Sequence, residues 1–297
     1  MTDVRSDRQP SSRLSWLKLL LSGLMALVLA LSLTRPAAAG DTTREAQLDA
    51  LMKGLLFTEV VQVLSDEGRD MVDDYAEAGY GIPKRAWKEM ITKLYDPAVM
   101  TRAFRAELAE ALEGADLSPM VAFYESDLGQ RIARLELDTR KMLSDETAKT
   151  AASDAWAALD PAARRAELIE QYVSANDLVE MNVVGALNSD VAYYQGLWQS
   201  SASDEAMSDS DLMREIWSSE AEVRASVSEW VYGFSTLAYD SLSDEELAQY
   251  VAFSKSDAGQ KLNYALFAAF DGVYEQLSRG LGAGTASLMN VFDGQQL

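Results

Sequence analysis

The sequence predicts an all-α protein: two tandem, divergent helical-bundle repeats, each containing a helix–corner–helix unit. Three observations predict it. Apolar residues recur at i, i+3, i+4 and i+7 through most of the chain, the spacing of one helix face. No segment carries a convincing strand alternation or hairpin dipeptide. One ten-residue stretch also occurs twice, Val121 to Gln130 (VAFYESDLGQ) and Val251 to Gln260 (VAFSKSDAGQ), keeping Val, Ala, Phe, Ser, Asp, Gly and Gln at identical spacing.

Residues 1–39 read as a signal peptide, 40–150 as the first repeat and 151–297 as the second. Arg5, Arg8, Arg13 and Lys18 precede a fifteen-residue apolar run, Leu19 to Leu33, and Ala37-Ala38-Ala39 follow. That order marks an export signal cut after Ala39. The run falls short of the roughly 20 residues of a spanning helix, which argues against a retained anchor. The mature protein is therefore expected in the periplasm or secreted, with no membrane span.

Beyond the leader, Thr43 to Leu64 reads as one amphipathic helix with Leu48, Leu51, Met52, Leu55 and Leu56 on its apolar face. Gly79-Tyr80-Gly81-Ile82-Pro83 breaks the chain, and Trp87, Met90, Ile91, Leu94 and Tyr95 form the next stripe. Asp96-Pro97 is a cap followed by a first-position proline, with Phe104, Leu108 and Leu112 buried behind it. Thr150 to Asp160 reads as a connection, and Asp160-Pro161 as a second cap-and-proline start. Leu178 to Leu197 is a helical run broken or bent near Asn188-Ser189. Leu168 to Asn188 loosely echoes Leu48 to Gly68, which would lengthen the duplication. Gln199 to Asp211 is polar and reads as an exposed loop. Val223, Val227, Trp230, Val231, Phe234 and Leu237 make a further stripe. Gly280, Gly282 and Gly284 are expected to end the last helix, and Gln295 to Leu297 to fray.

The repeated stretch explains itself physically as a corner. Ser243-Asp244-Glu245-Glu246 is a capping box for a helix running to about Ser254. Ser256 then caps a second helix, with Asp257 in its first turn, where the dipole favours an acid. Gly259 falls near the third helical position; with no Cβ it lets the preceding helix come close. Gln260 is placed to bond that helix's open carbonyls. Phe123, Ser126, Asp127, Gly129 and Gln130 make the same corner in the first copy, matched by Phe253, Ser256, Asp257, Gly259 and Gln260 in the second. These ten residues are assigned a structural role rather than a catalytic one.

Phe123-Tyr124-Glu125-Ser126 with Gly129-Gln130-Arg131, and again Phe253, Ser256 and Gly259-Gln260-Lys261 after Leu-Ser-x-Glu-Glu-Leu, resemble the bacterial envelope family called domain of unknown function 2059. Asp127 and Asp257 stand where that family's pattern has proline, which leaves the helix start less rigid. The resemblance implies a helical, exported protein and carries no established chemistry.

The chain has 26 basic and 47 acidic residues, and its net charge of −21 becomes −24 once the +3 of residues 1–39 is removed. Such a surface repels nucleic acid and anionic lipid. With no cysteine and no histidine, disulfides, zinc–thiolate sites and every Ser-His or Cys-His arrangement are excluded. Asp209 and Asp211 lack the order of a calcium loop. No cofactor and no metal are expected. Glu125 could serve a carboxylate-based hydrolase acting on cell-wall glycan, but the second copy has Lys255 there. The late aromatics Tyr193, Tyr194, Trp198, Trp217, Trp230 and Tyr232 read as core. The expected function is thus a non-enzymatic periplasmic binding or interaction module, with an envelope protein or peptide as partner. A carrier with an apolar inter-helix cavity is a third reading.

Overall fold

A computed structural model describes residues 39–77, 81–200 and 207–293. The expected leader, apart from Ala39, and the last four residues lie outside these, as do Gly79, Tyr80 and part of the polar segment after Gln199. Among the described residues every regular element is a helix, and no helix is long and apolar enough to cross a membrane.

The chain opens with α1 (Ala39–Gly54) and α2 (Phe57–Asp70). The single helix expected over Thr43 to Leu64 is two, because Leu56 adopts a left-handed conformation, φ 53°, ψ 37°. A leucine there is uncommon, and nothing in its type announces the break. Next come α3 (Val72–Glu77), α4 (Lys84–Leu94) and α5 (Pro97–Ala111). Asp96 caps α5 as its sequence requires: its carboxylate accepts from the backbone N–H of Ala98 at 2.9 Å and of Val99 at 3.0 Å.

The first corner joins α6 (Ser118–Glu125) to α7 (Asp127–Met142). The expected connection over Thr150 to Asp160 is instead mostly α8 (Glu146–Ala158), capped by Asp145. A boundary at residue 150 therefore falls inside a helix. Its alanines and Trp156 pack on a later helix, and helix propensity outweighs the acidic composition. Asp160 makes only a turn, accepting from Ala162 N–H at 2.9 Å; the helix after it, α9 (Arg164–Ala175), starts three residues beyond Pro161.

Then follow α10 (Leu178–Ser200), α11 (Asp209–Trp217), α12 (Glu220–Tyr239), α13 (Asp244–Ser254) and α14 (Asp257–Asp293). The full capping box at Ser243 and Glu246 is present, and α13 ends at Ser254. Helix α10 runs unbroken through Asn188-Ser189, where the Ser189 hydroxyl donates to Gly185 O at 2.7 Å. Helix α14 likewise runs straight through Gly280, Gly282 and Gly284.

Those glycines serve packing rather than termination. Helices α10 and α14 form the most extensive helix–helix contact. They run parallel: Asn263 donates to Asn176 O just before α10, Arg279 to Gln195 Oε1 and Asn290 to Ser200 O. A Cβ on Gly282 would lie 2.0 Å from Tyr193 O, and one on Gly196 2.1 Å from Arg279 O. Backbone meets backbone there, which only glycine allows.

The core has three clusters, and all of them mix the halves of the chain. Phe57, Trp87, Ile91 and Phe104 pack with Val273, Leu277 and Leu281 of α14. Leu51, Leu108, Leu112 and Met120 pack with Leu262, Ala265 and Ala269 of the same helix. The third joins Ile132 to Leu168, Val183, Val231, Tyr239 and Leu247.

The glycine contact gives a test. Gly282→Ala is expected to lower unfolding free energy by about 1–3 kcal/mol, as overpacking against a fixed backbone does. Gly284 faces only the flexible end of Met90, so Gly284→Ala should be neutral or gain up to about 1 kcal/mol of helix propensity. Urea unfolding of the two variants distinguishes them.

Candidate functional site

The ten corner residues occupy two equivalent arrangements. In the first, the Ser126 hydroxyl donates to Phe123 O at 2.6 Å and accepts from Gly129 N–H at 3.1 Å. In the second, Ser256 does the same to Phe253 O and Gly259 N–H, at 2.6 and 3.0 Å. A Cβ on either glycine would stand 2.0 Å from the phenylalanine carbonyl. Asp127 and Asp257 open their helices.

Each glutamine reaches two helix ends. Gln130 donates to Tyr124 O, at the end of α6, and to Gly54 O, at the end of α1, the latter at 3.0 Å. Gln260 donates to Ser254 O and Ala175 O, both at 2.7 Å. An arginine adds a parallel clamp: Arg44 bonds Leu112 O and Ala115 O, and Arg165 bonds Tyr239 O and Leu242 O. Left-handed residues follow α1 and α9 alike, at Leu56 and Asp177. The corners meet face to face, with the Phe123 and Phe253 rings stacked at 3.8 Å and 5°. Glu125 is exposed beside the corner, outside both cavities described below.

A different set of residues builds the more enclosed of two cavities, about 330 Å³ between α7, α9, α10, α12 and α14. Its wall is aromatic: Tyr172, Trp230, Phe234, Phe267, Phe270 and Tyr274. Trp230 is 39% exposed and stacks on Phe234, so it stands at the mouth. Glu136, Arg140, Asp271 and Ser235 supply polar atoms. A broader, shallower depression lies between α9 and Lys255–Gln260, lined by polar side chains.

Each polar group has a definable state. The Glu136 carboxylate accepts from Tyr239 at 2.7 Å and from Tyr250 at 2.9 Å, and Tyr172 lies 3.3 Å from the Tyr250 hydroxyl. Burial raises its pKa, and the two tyrosine bonds partly offset that. Arg140 is held by Glu67 of α2, Nε to Oε1 at 3.1 Å and Nη2 to Oε2 at 2.7 Å. Burial pushes Asp271 up to about 6, and the neighbouring Glu275 adds to the shift. The Ser235 hydroxyl is 1% exposed and has no hydrogen-bond partner. An orphaned buried hydroxyl costs free energy unless something answers it. No group of three or more acidic side chains among the described residues could hold a metal ion.

The sequence reading missed this cavity. Trp230 and Phe234 belong to a stripe of the sequence, and nothing in the sequence pattern singles out Glu136 or Arg140. One local signal was present: Asp271 lies within the apolar stripe of α14, between Phe270 and Val273.

Comparison with known proteins adds one match. The model of a family described as an uncharacterized protein conserved in bacteria (DUF2059) matches residues 98–157. That covers α5 to α8 and the first corner, and ends before the second. No curated protein and no solved structure gives a significant match.

Buried carboxyls set a pH dependence, with Glu136 and Glu107 raised by burial in the same direction as the two aspartates that follow. Asp271 is raised to about 6 and Asp190, on α10, to about 7, both chiefly by burial. The folded state therefore holds more protons than the unfolded state between about pH 4 and 7, and stability falls as pH rises through that window. Carboxyls lowered by partners, such as Asp116 and Glu246, act only below about pH 4.5, where unfolded carboxyls titrate. The melting temperature is expected to drop between pH 4.5 and 7, and Asp190→Asn with Asp271→Asn should flatten that slope.

Proposed function

We propose that the protein is an exported, non-enzymatic binding module that holds a small, largely apolar ligand in the cavity between α7, α9, α10, α12 and α14. The observation that carries this reading is the cavity itself. Its volume lies at the lower end of ordinary ligand sites, and its make-up of aromatic walls with a few polar atoms is theirs too. The unanswered Ser235 hydroxyl adds a group that a ligand would satisfy.

The same reading treats the chain as two divergent copies of one helical unit. The supports are the repeated serine, glycine and glutamine bonds, the matching arginine clamps, and the left-handed residues after α1 and α9. On this reading the duplication supplies a rigid frame and the second copy has opened a cavity, closed on one side by α7 of the first. Export rests on the order of residues 1–39: basic residues, an apolar run, then small residues. A non-enzymatic role follows from the lack of histidine and cysteine and from the corner residues being used up in backbone bonds.

Filling the cavity tests the binding role. The neutral dye N-phenyl-1-naphthylamine should bind saturably with a blue-shifted emission. Ala186→Phe, which adds a ring inside the cavity, should weaken binding at least tenfold while leaving the helical circular dichroism unchanged. Undiminished dye binding in that variant would remove the cavity from consideration. Incubation with intact peptidoglycan should release no fragments.

A further inference from the structure

We infer that the cavity takes an organic monocation, with its ammonium group against the Asp271 carboxylate and its ring or chain among the aromatic side chains. This deepens the ligand-binding role proposed above and rests on it. The argument is one of charges already spent. Arg140 has its charge paired with Glu67, whose two oxygens take the Nε and Nη2 edge of the guanidinium. Glu136 has two tyrosine hydroxyls on one of its oxygens. Asp271 receives no hydrogen bond and no ion pair from any described residue, and its charged neighbour Glu275 repels it. It is the one carboxylate of the cavity that the protein leaves unanswered.

The surroundings are shaped for that carboxylate. Gly185 of α10 faces it, and a Cβ there would stand 2.6 Å from Oδ1. Any other residue would press on the carboxylate, so the glycine keeps its space open. Trp230, Phe234, Phe267 and Phe270 line the same space, and aromatic faces attract a desolvated cation through their quadrupoles. Ser235 offers a hydroxyl that can accept one N–H of an ammonium group. An anionic ligand would meet Asp271, and the one arginine of the cavity already has its charge paired with Glu67. The net charge of −21 also concentrates cations near the surface.

The test uses three probes with one skeleton: 3-phenylpropylamine, 3-phenylpropan-1-ol and 3-phenylpropanoate, titrated calorimetrically into the mature protein at pH 7.5. The amine is expected to bind at least tenfold more tightly than the alcohol, a difference of about 1.4 kcal/mol, and the carboxylate most weakly. Asp271→Asn, which keeps shape and removes a buried charge, should bring the amine down to the alcohol's affinity and leave the alcohol unchanged. Equal binding of amine and alcohol by the unmodified protein would overturn the monocation while leaving the cavity a binding site. A preference for the carboxylate would overturn it as well. If no probe binds and the dye is also indifferent to Ala186→Phe, both readings fall. The wild-type ranking decides the matter even if a variant folds poorly.

Discussion

Everything in this fold leans on a bond from a glutamine side chain to the last carbonyl of a helix distant in sequence. A helix end leaves carbonyls without partners. Gln130 answers one at Gly54 and one at Tyr124; Gln260 answers one at Ala175 and one at Ser254. Each glutamine thereby fixes three elements at once: the helix it begins, the helix before it, and a helix some eighty residues earlier. The glycine one position ahead permits the approach, and the serine holds the corner's angle. Stacking Phe123 on Phe253 then sets one corner against the other.

This frame explains where the cavity can exist. The backbone-to-backbone approach of α10 and α14 at Gly196 and Gly282 lies in their second halves. Along their first halves the space beside them is bounded by larger side chains from α7 and α12 and left unfilled. Rigid contacts at the corner and at the glycines hold a void that a looser bundle would collapse, and collapse is what normally limits the cost of a cavity. The acids lining it are then desolvated by construction, which raises Glu136 and Asp271 together.

How much of this is written locally decides how much the sequence discloses. The capping box at Ser243, the caps at Asp96 and Ser256, and the corner glycines are satisfied within six residues, so their residue types reveal them. The break at Leu56 is imposed by packing on a residue that does not favour it. The glycines of α14 read as a terminator by residue type, and only the positions of α10 and α4 make them contacts. Thr150 to Asp160 reads as a connection because Asp154, Asp160 and the alanines carry no strong stripe, yet α12 lies against the helix that fills most of it. The cavity draws on five helices, and no spacing within one helix encodes a space between five.

Helix α14 has a temporal consequence. Its Leu262, Ala265 and Ala269 complete one core cluster, and Val273, Leu277 and Leu281 another, and the other buried members of both lie before position 200. Those earlier helices can form as they emerge from the ribosome, but they cannot seal two of their three apolar clusters until the final forty residues have been made. Closure over so long a separation is slow. Two of the three clusters therefore reach their full burial only when the last helix is laid across the first half.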